Sequence, residues 1–151
     1  MKDLFSKEVK GKVLLDSDVF IYYIGGGILA EKSQKVIDSI LKGQLEAYVS
    51  SMLYDGIISG LRAKGMEIEE ITKFIIAVAS IPHISLPVTS PIAISALTLY
   101  KQHGGPRRLH YFDAYHVATA AYYKLPIITS DKYIVNKQKE LGIKAINLKT
   151  I

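Results

Sequence analysis

The most restrictive feature of the sequence is the run Val13-Leu14-Leu15, which is apolar at every position and leads directly into a carboxylate, Asp16. A short strand that is apolar without alternation needs cover on both faces, as the strands of a parallel sheet have. Asp16 then lies at the carboxyl edge of the sheet, where open α/β sheets place their ligands. For an isolated Asp, a helix cap or a turn is the commoner reason, so Asp16 alone assigns no function.

The same arrangement returns near the end of the chain, where Ile127-Ile128-Thr129 leads into Ser130 and Asp131. Between the two segments, short apolar stretches alternate with stretches whose apolar residues recur at helical spacing. We predict strands at about 12–16, 45–49, 84–88, 126–131 and 144–148. We predict helices at about 19–24, 31–42, 67–79, 90–102, 110–124 and 132–141, and one further helix that begins at the caps Ser50 and Ser51 and ends at Gly65. This alternation predicts an α/β sandwich with a mainly parallel sheet.

Length and composition narrow the class of protein further. The 151 residues suffice for one domain with a sizeable core, and we treat 1–151 as a single domain with a polar arm at 1–11. The absence of cysteine excludes disulfides, zinc ribbons and thiol nucleophiles. No apolar run has the length of a membrane span and the N-terminus lacks a signal-peptide core, so we expect a soluble, cytoplasmic protein. The net charge of +5 makes nucleic acid a reasonable partner.

Four aspartates are placed so that they can point at one edge of a parallel sheet. Asp16 and Asp131 follow strands, Asp113 lies close to the start of a predicted helix, and Asp55 lies inside another. Carboxylates packed together raise one another's pKa values, and such a cluster stays ionised only around a cation. Oxygen ligands favour Mg²⁺ or Mn²⁺, and such an ion can activate water against a phosphodiester. The pattern therefore indicates nuclease chemistry.

The residues around these acids resemble those of a known family, the PIN-domain ribonucleases. Residues 13–21, Val-Leu-Leu-Asp-Ser-Asp-Val-Phe-Ile, resemble the opening strand of the family, and residues 111–120, Tyr-Phe-Asp-Ala-Tyr-His-Val-Ala-Thr-Ala, resemble its most recognisable helix. Residues 50–55 fall where the family has a strand, then Ser, then an acid one helical turn on, and 128–132 resemble its Thr-x-Asp strand end. The resemblance spans about 12–148 and is strongest to the toxin half of VapBC-type toxin–antitoxin pairs.

This resemblance implies a PIN-like three-layer α/β/α sandwich and a metal site. Asp16, Asp113 and Asp131 would hold Mg²⁺ or Mn²⁺, Asp55 would act directly or through a bridging water, and Thr129 would support the site by hydrogen bonding. The family also implies an RNA substrate, a homodimer and an antitoxin protein as partners. The apolar helices between about residues 50 and 80 exceed what one small sheet needs for its cover, which independently motivates the homodimer.

Two positions depart from the family pattern. The family usually has Glu where this chain has Asp55, whose side chain is one methylene shorter, so contact with a metal through water is the alternative to direct ligation. The position of Asp18 is usually Asn, so Asp18 either adds a fifth carboxylate or turns away as a local cap. Both departures affect the expected metal affinity and rate more than the fold.

The mechanism that these residues predict is hydrolysis of a single-stranded RNA phosphodiester without a covalent enzyme intermediate. Asp16 and Asp113 are the principal expected metal ligands, and Asp131 and Asp55 complete or orient the hydration shell. Arg107 and Arg108, in a Gly- and Pro-containing loop, are candidates for phosphate contact, although solvated arginines are the commoner case.

Two other functions remain open at this point. A PIN-like fold that has lost turnover would act as an RNA- or protein-binding module, and the departures at Asp55 and Asp18 favour that alternative. Asp16-Ser17-Asp18-Val19 after a strand also resembles the nucleophile motif of haloacid-dehalogenase-type phosphatases, with Thr129 as the second motif. Too little chain follows Thr129 to supply the further acidic pair that such phosphatases need for magnesium.

The histidines and tyrosines near the acids admit two interpretations. His110, Asp113 and His116 suggest a transition-metal site, but the two histidines lie about 120° apart around a helix, so we expect one to face solvent and the other to pack. Five tyrosines near the acids could stack on bases, but packing is the commoner role of such residues; they are Tyr22, Tyr23, Tyr54, Tyr111 and Tyr115.

Overall fold

The computed structural model describes residues 11–151, in which strands and helices alternate. The strands are β1 Gly11–Leu15, β2 Leu45–Ser50, β3 Ile84–Leu86, β4 Ile127–Thr129 and β5 Ala145–Asn147. The helices are α1 Ser17–Gly25, α2 Ala30–Leu41, α3 Leu53–Ala63, α4 Ile68–Ser80, α5 Ser90–His103, α6 Tyr111–Tyr123 and α7 Lys132–Asn136, and a 3₁₀ helix at Leu148–Thr150 follows β5. The predicted polar arm lies outside the described residues except for Gly11, which is the first residue of β1.

The five strands form one sheet in the order β3-β2-β1-β4-β5, and every pair is parallel. The chain builds outward from β1 in one direction and then returns to add β4 on the other side of it. The crevice at such a reversal of strand order is where α/β sheets bind their ligands. The predicted α/β class and the parallel sheet are confirmed.

The sheet is covered on both faces, as the unbroken apolar run of β1 predicts. Val13 and Leu15 belong to the core on one face, whereas Leu14 belongs to the core on the other. The first core takes its helical side chains from α1, α2, α3 and α4, and the second takes them from α5, α6 and α7. The architecture is therefore the expected three-layer α/β/α sandwich.

Two local predictions were wrong. Ser50 and Ser51 do not cap α3, whose N-cap residue is Met52 without a side-chain cap. Instead, Ser50 Oγ accepts a hydrogen bond from Met52 N at 3.2 Å, and Ser51 Oγ accepts one from Val88 N at 3.0 Å. These hydroxyls therefore satisfy backbone donors of the loops that follow β2 and β3.

The last predicted helix also ends early, at Asn136 instead of about residue 141. The amide of Gln138 explains the end, because its Oε1 accepts a hydrogen bond from Ala145 N at 2.9 Å and so ties the chain to β5. Within residues 11–151, none of the helices combines the length and the apolar character that a membrane span requires.

Candidate metal centre

The candidate site forms where β1 and β4 end side by side, because Leu15 is paired with Ile128 in the parallel ladder. Asp16 directly follows β1 and is the N-cap of α1, and its Oδ1 accepts a hydrogen bond from Ser17 N at 2.7 Å. Asp131 follows β4 and is the N-cap of α7, where its Oδ1 accepts from Ile134 N at 3.1 Å. Both acids are thus helix caps and also members of the site, so the two interpretations of Asp16 hold together.

Thr129 connects these two acids. Its hydroxyl donates to Asp16 Oδ2 at 2.6 Å and accepts a hydrogen bond from Asp131 N at 3.0 Å. The side chain of Thr129 is completely buried, so few alternative partners compete for the hydroxyl. This bridge fixes the orientation of Asp16 and the position of the chain that carries Asp131.

Asp113, in the first turn of α6, joins the strand-end acids. Asp16, Asp113 and His116 each offer a ligand atom within 4.8 Å of the others, and so do His110, Asp113 and Asp131. Asp113 belongs to both groups, so it is the residue that links them. Three of the four predicted acids therefore meet at one edge of the sheet.

The acids repel one another in a buried setting. Burial, followed by the charges of Asp16 and Asp131, raises the pKa of Asp113 to about 9. Burial also raises the pKa of Asp16, whereas the hydrogen bond from Thr129 opposes that rise. Within residues 11–151, the basic side chains within 4 Å of these acids are His110 and His116, and no lysine or arginine is among them. A cluster of hard oxygen donors without a cationic side chain fits a divalent metal ion.

Asp18 faces the end of β4 and makes no local cap. Its Oδ2 accepts hydrogen bonds from the backbone N of Ser130, at 2.6 Å, and from the Ser130 hydroxyl. Burial and the charge of Asp16 raise the pKa of Asp18 to about 7. Its Oδ1 is buried and has no hydrogen-bond partner among the described residues.

His116 lies within α6 and His110 is the N-cap residue of this helix. The two side chains differ in exposure, as their helical spacing predicts. The His110 side chain is 71% exposed, and its Nδ1 lies 3.3 Å from Asp113 Oδ2. The His116 side chain is 1% exposed, and its Nε2 lies 3.9 Å from Asp16 Oδ1. Burial lowers the pKa of His116 to about 4, so its imidazole is neutral at pH 7. The sequence predicts one exposed and one packed histidine, and the structure shows that His116 is the packed one.

Asp55 is the predicted site acid that does not join the cluster of Asp16, Asp113 and Asp131. It lies exposed in the first turn of α3 and belongs to neither group of close ligand atoms. The next residue, Gly56, lies against Phe112, and a Cβ added there would come within 3.2 Å of the ring. The start of α3 therefore lies beside the start of α6, and a role for Asp55 through water stays a prediction.

The predicted RNA-binding arginines lie in the loop between α5 and α6. Arg108 is held in place, because it donates to Gln102 O at 3.0 Å and its guanidinium carbon lies 5.9 Å from the centre of the Tyr133 ring. Arg107 is exposed and has a left-handed backbone with φ of 60°. Such a conformation is uncommon outside glycine, asparagine and aspartate.

The five tyrosines near the acids divide by environment. Tyr22, Tyr23 and Tyr54 pack against the first core, and Tyr115 is buried. Tyr111 is 42% exposed and donates to, or accepts from, the hydroxyl of Tyr115 at 2.9 Å. Packing thus accounts for four of the five.

We compared the sequence with protein families and the structure with solved structures. The sequence matches the PIN domain family over residues 13–140, whereas no curated protein matches it. VapBC2 from Rickettsia felis, bound to a DNA fragment from its promoter, is 12% identical with a TM-score of 0.67, over 90% of this chain and 98% of that chain. DNA-bound VapBC from Salmonella typhimurium is 15% identical with a TM-score of 0.64, over 91% and 98%.

FitAcB from Neisseria gonorrhoeae is also similar, at 20% identity and a TM-score of 0.62, over 92% of this chain and 99% of that chain. At these identities the likeness concerns the fold, which is the one found in these complexes. The family match covers most of the chain and includes Asp16, Asp55, Asp113 and Asp131. The resemblance seen in the sequence is confirmed, and the chain belongs to the PIN-domain family.

Proposed function

We propose that this protein is a divalent-metal-dependent endoribonuclease that hydrolyses single-stranded RNA, and that it is the toxin of a toxin–antitoxin pair. One observation carries the proposal. Asp16, Asp113 and Asp131 converge, with burial and mutual repulsion raising the pKa of Asp113 to about 9 and no lysine or arginine paired with them in the described chain. Membership of the PIN family and the fold of the VapBC complexes support the same function.

Asp16, Asp113 and Asp131 would hold the ion, Mg²⁺ or Mn²⁺. A divalent ion at such a site supplies a nucleophile from water near neutral pH and neutralises charge that develops on the phosphate. Thr129 keeps the Asp16 carboxylate oriented through the 2.6 Å hydrogen bond, which is the precision that such a site needs. Asp18 holds Ser130 and thereby the turn that leads from β4 to Asp131.

The exposed residues around the acids are proposed to handle the substrate. Asp55, at the start of α3, would orient a water molecule, and Arg107 would contact an RNA phosphate. Arg108 is proposed to position this loop through Gln102 and Tyr133 as well as to attract RNA. Neither arginine touches the acids as an ion pair within residues 11–151.

The direct test is cleavage of an unstructured RNA with Mn²⁺ or Mg²⁺ by the wild type, Asp113→Asn and Asp38→Asn. Asp38 lies on α2, where its side chain accepts a hydrogen bond from Gln34 at 2.8 Å, so it controls for the loss of a carboxylate elsewhere. Wild type and Asp38→Asn should cleave and stop on EDTA addition, and Asp113→Asn should not cleave. RNA binding without metal-dependent cleavage by the wild type would favour a binding module instead.

The surface formed by α3 and α4 carries an apolar groove that suggests protein partners. A groove of about 260 Å³ between these helices is lined almost entirely by isoleucine, and the flanking Ile68 and Ile76 are 62% and 64% exposed. Apolar side chains grouped in this way mark contact surfaces on soluble proteins. We propose that a second copy of the chain covers this surface and that an antitoxin protein binds the resulting dimer. A similar fold occurs in a toxin–antitoxin complex from Klebsiella pneumoniae.

A further inference from the structure

The inner face of α6 carries a nitrogen donor that the proposed function does not use. His116 lies about one helical turn after Asp113 on the same side of α6. Both side chains have ligand atoms within 4.8 Å of a carboxylate oxygen of Asp16. Its Nε2 lies 3.9 Å from Asp16 Oδ1. Two ligands that each lie about 2.1 Å from one ion are separated by roughly 3 to 4.2 Å, so this spacing suits a shared cation.

The hydrogen bonding of His116 is incomplete. Its side chain is 1% exposed, and Nδ1 has no hydrogen-bond partner among the described residues. The contact of Nε2 with Asp16 exceeds hydrogen-bond length. The nitrogen that faces the acids, Nε2, therefore has room for a further partner beside Asp16, and an ion held by both groups would supply one.

The other histidines do not share these properties. His83 and His103 are occupied elsewhere, with hydrogen bonds of 2.7 Å to Tyr54 and 2.8 Å to Tyr133. His110 is 71% exposed, so water is available to its ring nitrogens. Among the four histidines of the sequence, His116 alone combines burial, a missing partner and proximity to Asp16.

We propose that His116 supplies a nitrogen ligand to the metal centre and that this ligand makes the centre select Mn²⁺ over Mg²⁺. The inference rests on the proposed metal-dependent function and specifies its ion. Mg²⁺ keeps oxygen ligands and several of its waters, whereas imidazole nitrogen suits first-row transition ions. The donor set of Asp16, Asp113 and His116 is therefore better matched to Mn²⁺ than an all-carboxylate set is.

The test uses Mn²⁺ alone, without RNA. Metal-stripped protein is loaded with Mn²⁺, and pulsed electron paramagnetic resonance reports whether a ¹⁴N nucleus couples to the ion. Wild type and His110→Gln should show this coupling, and His116→Gln should not. Mn²⁺ binding should weaken at least about tenfold in His116→Gln, whereas Mg²⁺ affinity, measured by competition, should change much less.

A second measurement covers the case in which His116→Gln fails to fold. In folded His110→Gln protein labelled with ¹⁵N-histidine, the ¹⁴N coupling should be replaced by ¹⁵N coupling, which needs no change at residue 116. Bound Mn²⁺ without nitrogen coupling in the wild type, or coupling that disappears in His110→Gln, overturns the role of His116 and leaves the proposed function standing. No Mn²⁺ or Mg²⁺ binding at all would remove the inference and the proposed function together.

Discussion

The hydroxyl of Thr129 donates a 2.6 Å hydrogen bond to Asp16 Oδ2, although the two residues are 113 positions apart in the chain. The bond crosses between the ends of β1 and β4, the two neighbouring strands at which the sheet reverses its order. The same hydroxyl accepts a hydrogen bond from Asp131 N. One buried side chain thus orients one acid of the candidate metal centre and fixes the backbone of another.

Replacing Thr129 by valine, which has nearly the same shape, removes both hydrogen bonds. The free energy of unfolding should fall by about 1–3 kcal/mol, because a buried carboxylate oxygen and a buried N–H lose their partner. Metal affinity should also fall by roughly tenfold, as for other residues that orient metal ligands. Chemical denaturation and metal titration measure the two effects.

Thr98→Val is the matched control for this change. Thr98 lies on the exposed side of α5 and donates to Ile94 O of its own helix at 2.9 Å. Its replacement should change neither metal affinity nor, by more than about 0.5 kcal/mol, stability. Equal metal affinity in Thr129→Val and the wild type would show that the bridge has no part in metal binding.

The stability of the metal-free protein should depend on pH through Asp113. Its pKa is raised to about 9 in the folded protein, against about 3.9 in an unfolded chain. Between these two pKa values the folded protein keeps a proton that the unfolded chain has lost. The contribution of Asp113 to the free energy of unfolding is therefore complete below about pH 4 and is lost as pH rises toward 9. The pKa of His116 is lowered to about 4, so its contribution changes only below about pH 6.5.

The measurement is the melting temperature in EDTA at pH 7 and pH 9. The melting temperature of the wild type should fall by several degrees across this interval, and the fall should be much smaller in Asp113→Asn, whose amide does not ionise. Saturating Mn²⁺ should offset the fall in the wild type, because the ion binds the ionised carboxylate. The same pH dependence in both proteins would contradict the buried, repelled environment of Asp113.

Asp18→Asn should stabilise the metal-free protein, and the gain should grow as pH rises from about 4 to about 7, the pKa values of Asp18 in the unfolded chain and in the folded protein. Burial and the charge of Asp16 raise the pKa of Asp18 to about 7, so at pH 8.5 the folded protein holds an unfavourable buried charge. The amide keeps an oxygen for the hydrogen bonds from Ser130 and removes that charge. The melting temperature of the variant should exceed that of the wild type by more at pH 8.5 than at pH 5.5. A lower melting temperature at pH 8.5 would show that the charge itself supports the fold.

The contact surface of α3 and α4 should respond to a single charge. Ile76 is 64% exposed beside the apolar groove, so Ile76→Glu adds a carboxylate to the proposed dimer interface at little cost to the isolated chain. Light scattering should give a dimer mass for the wild type and a monomer mass for the variant. Ile94→Glu, at an equally exposed isoleucine of α5, is the control and should remain a dimer. A monomeric wild type at working concentration would refute the dimer.

The strands, most helices and three of the site acids follow from local patterns in the sequence. Asp16 and Asp131 end apolar strands, and parallel strands end at a common edge, so their convergence with Asp113 could be predicted. The pairing of Asp18 with Ser130 could not, because it depends on β4 lying next to β1, which no local pattern specifies. The loop contacts of Ser51 and the tie between Gln138 and β5 depend on the same kind of tertiary neighbour.

His116 illustrates a different limit. His110 and His116 each lie three residues from Asp113, so local spacing alone does not show which of them is buried beside Asp16. The structure separates the two, with His116 beside Asp16 and His110 at the surface. This separation depends on how α6 packs on the sheet, which the spacing within the helix does not specify.

The central claim is that Asp16, Asp113 and Asp131 surround one divalent metal centre. The most direct measurement is an anomalous difference map from crystals of this protein soaked in Mn²⁺. The account predicts a strong peak, or an adjacent pair of peaks, within coordination distance of Asp113 and bounded by Asp16 and Asp131. A fully soaked crystal with no peak at these carboxylates, or with Mn²⁺ bound only elsewhere, would contradict it.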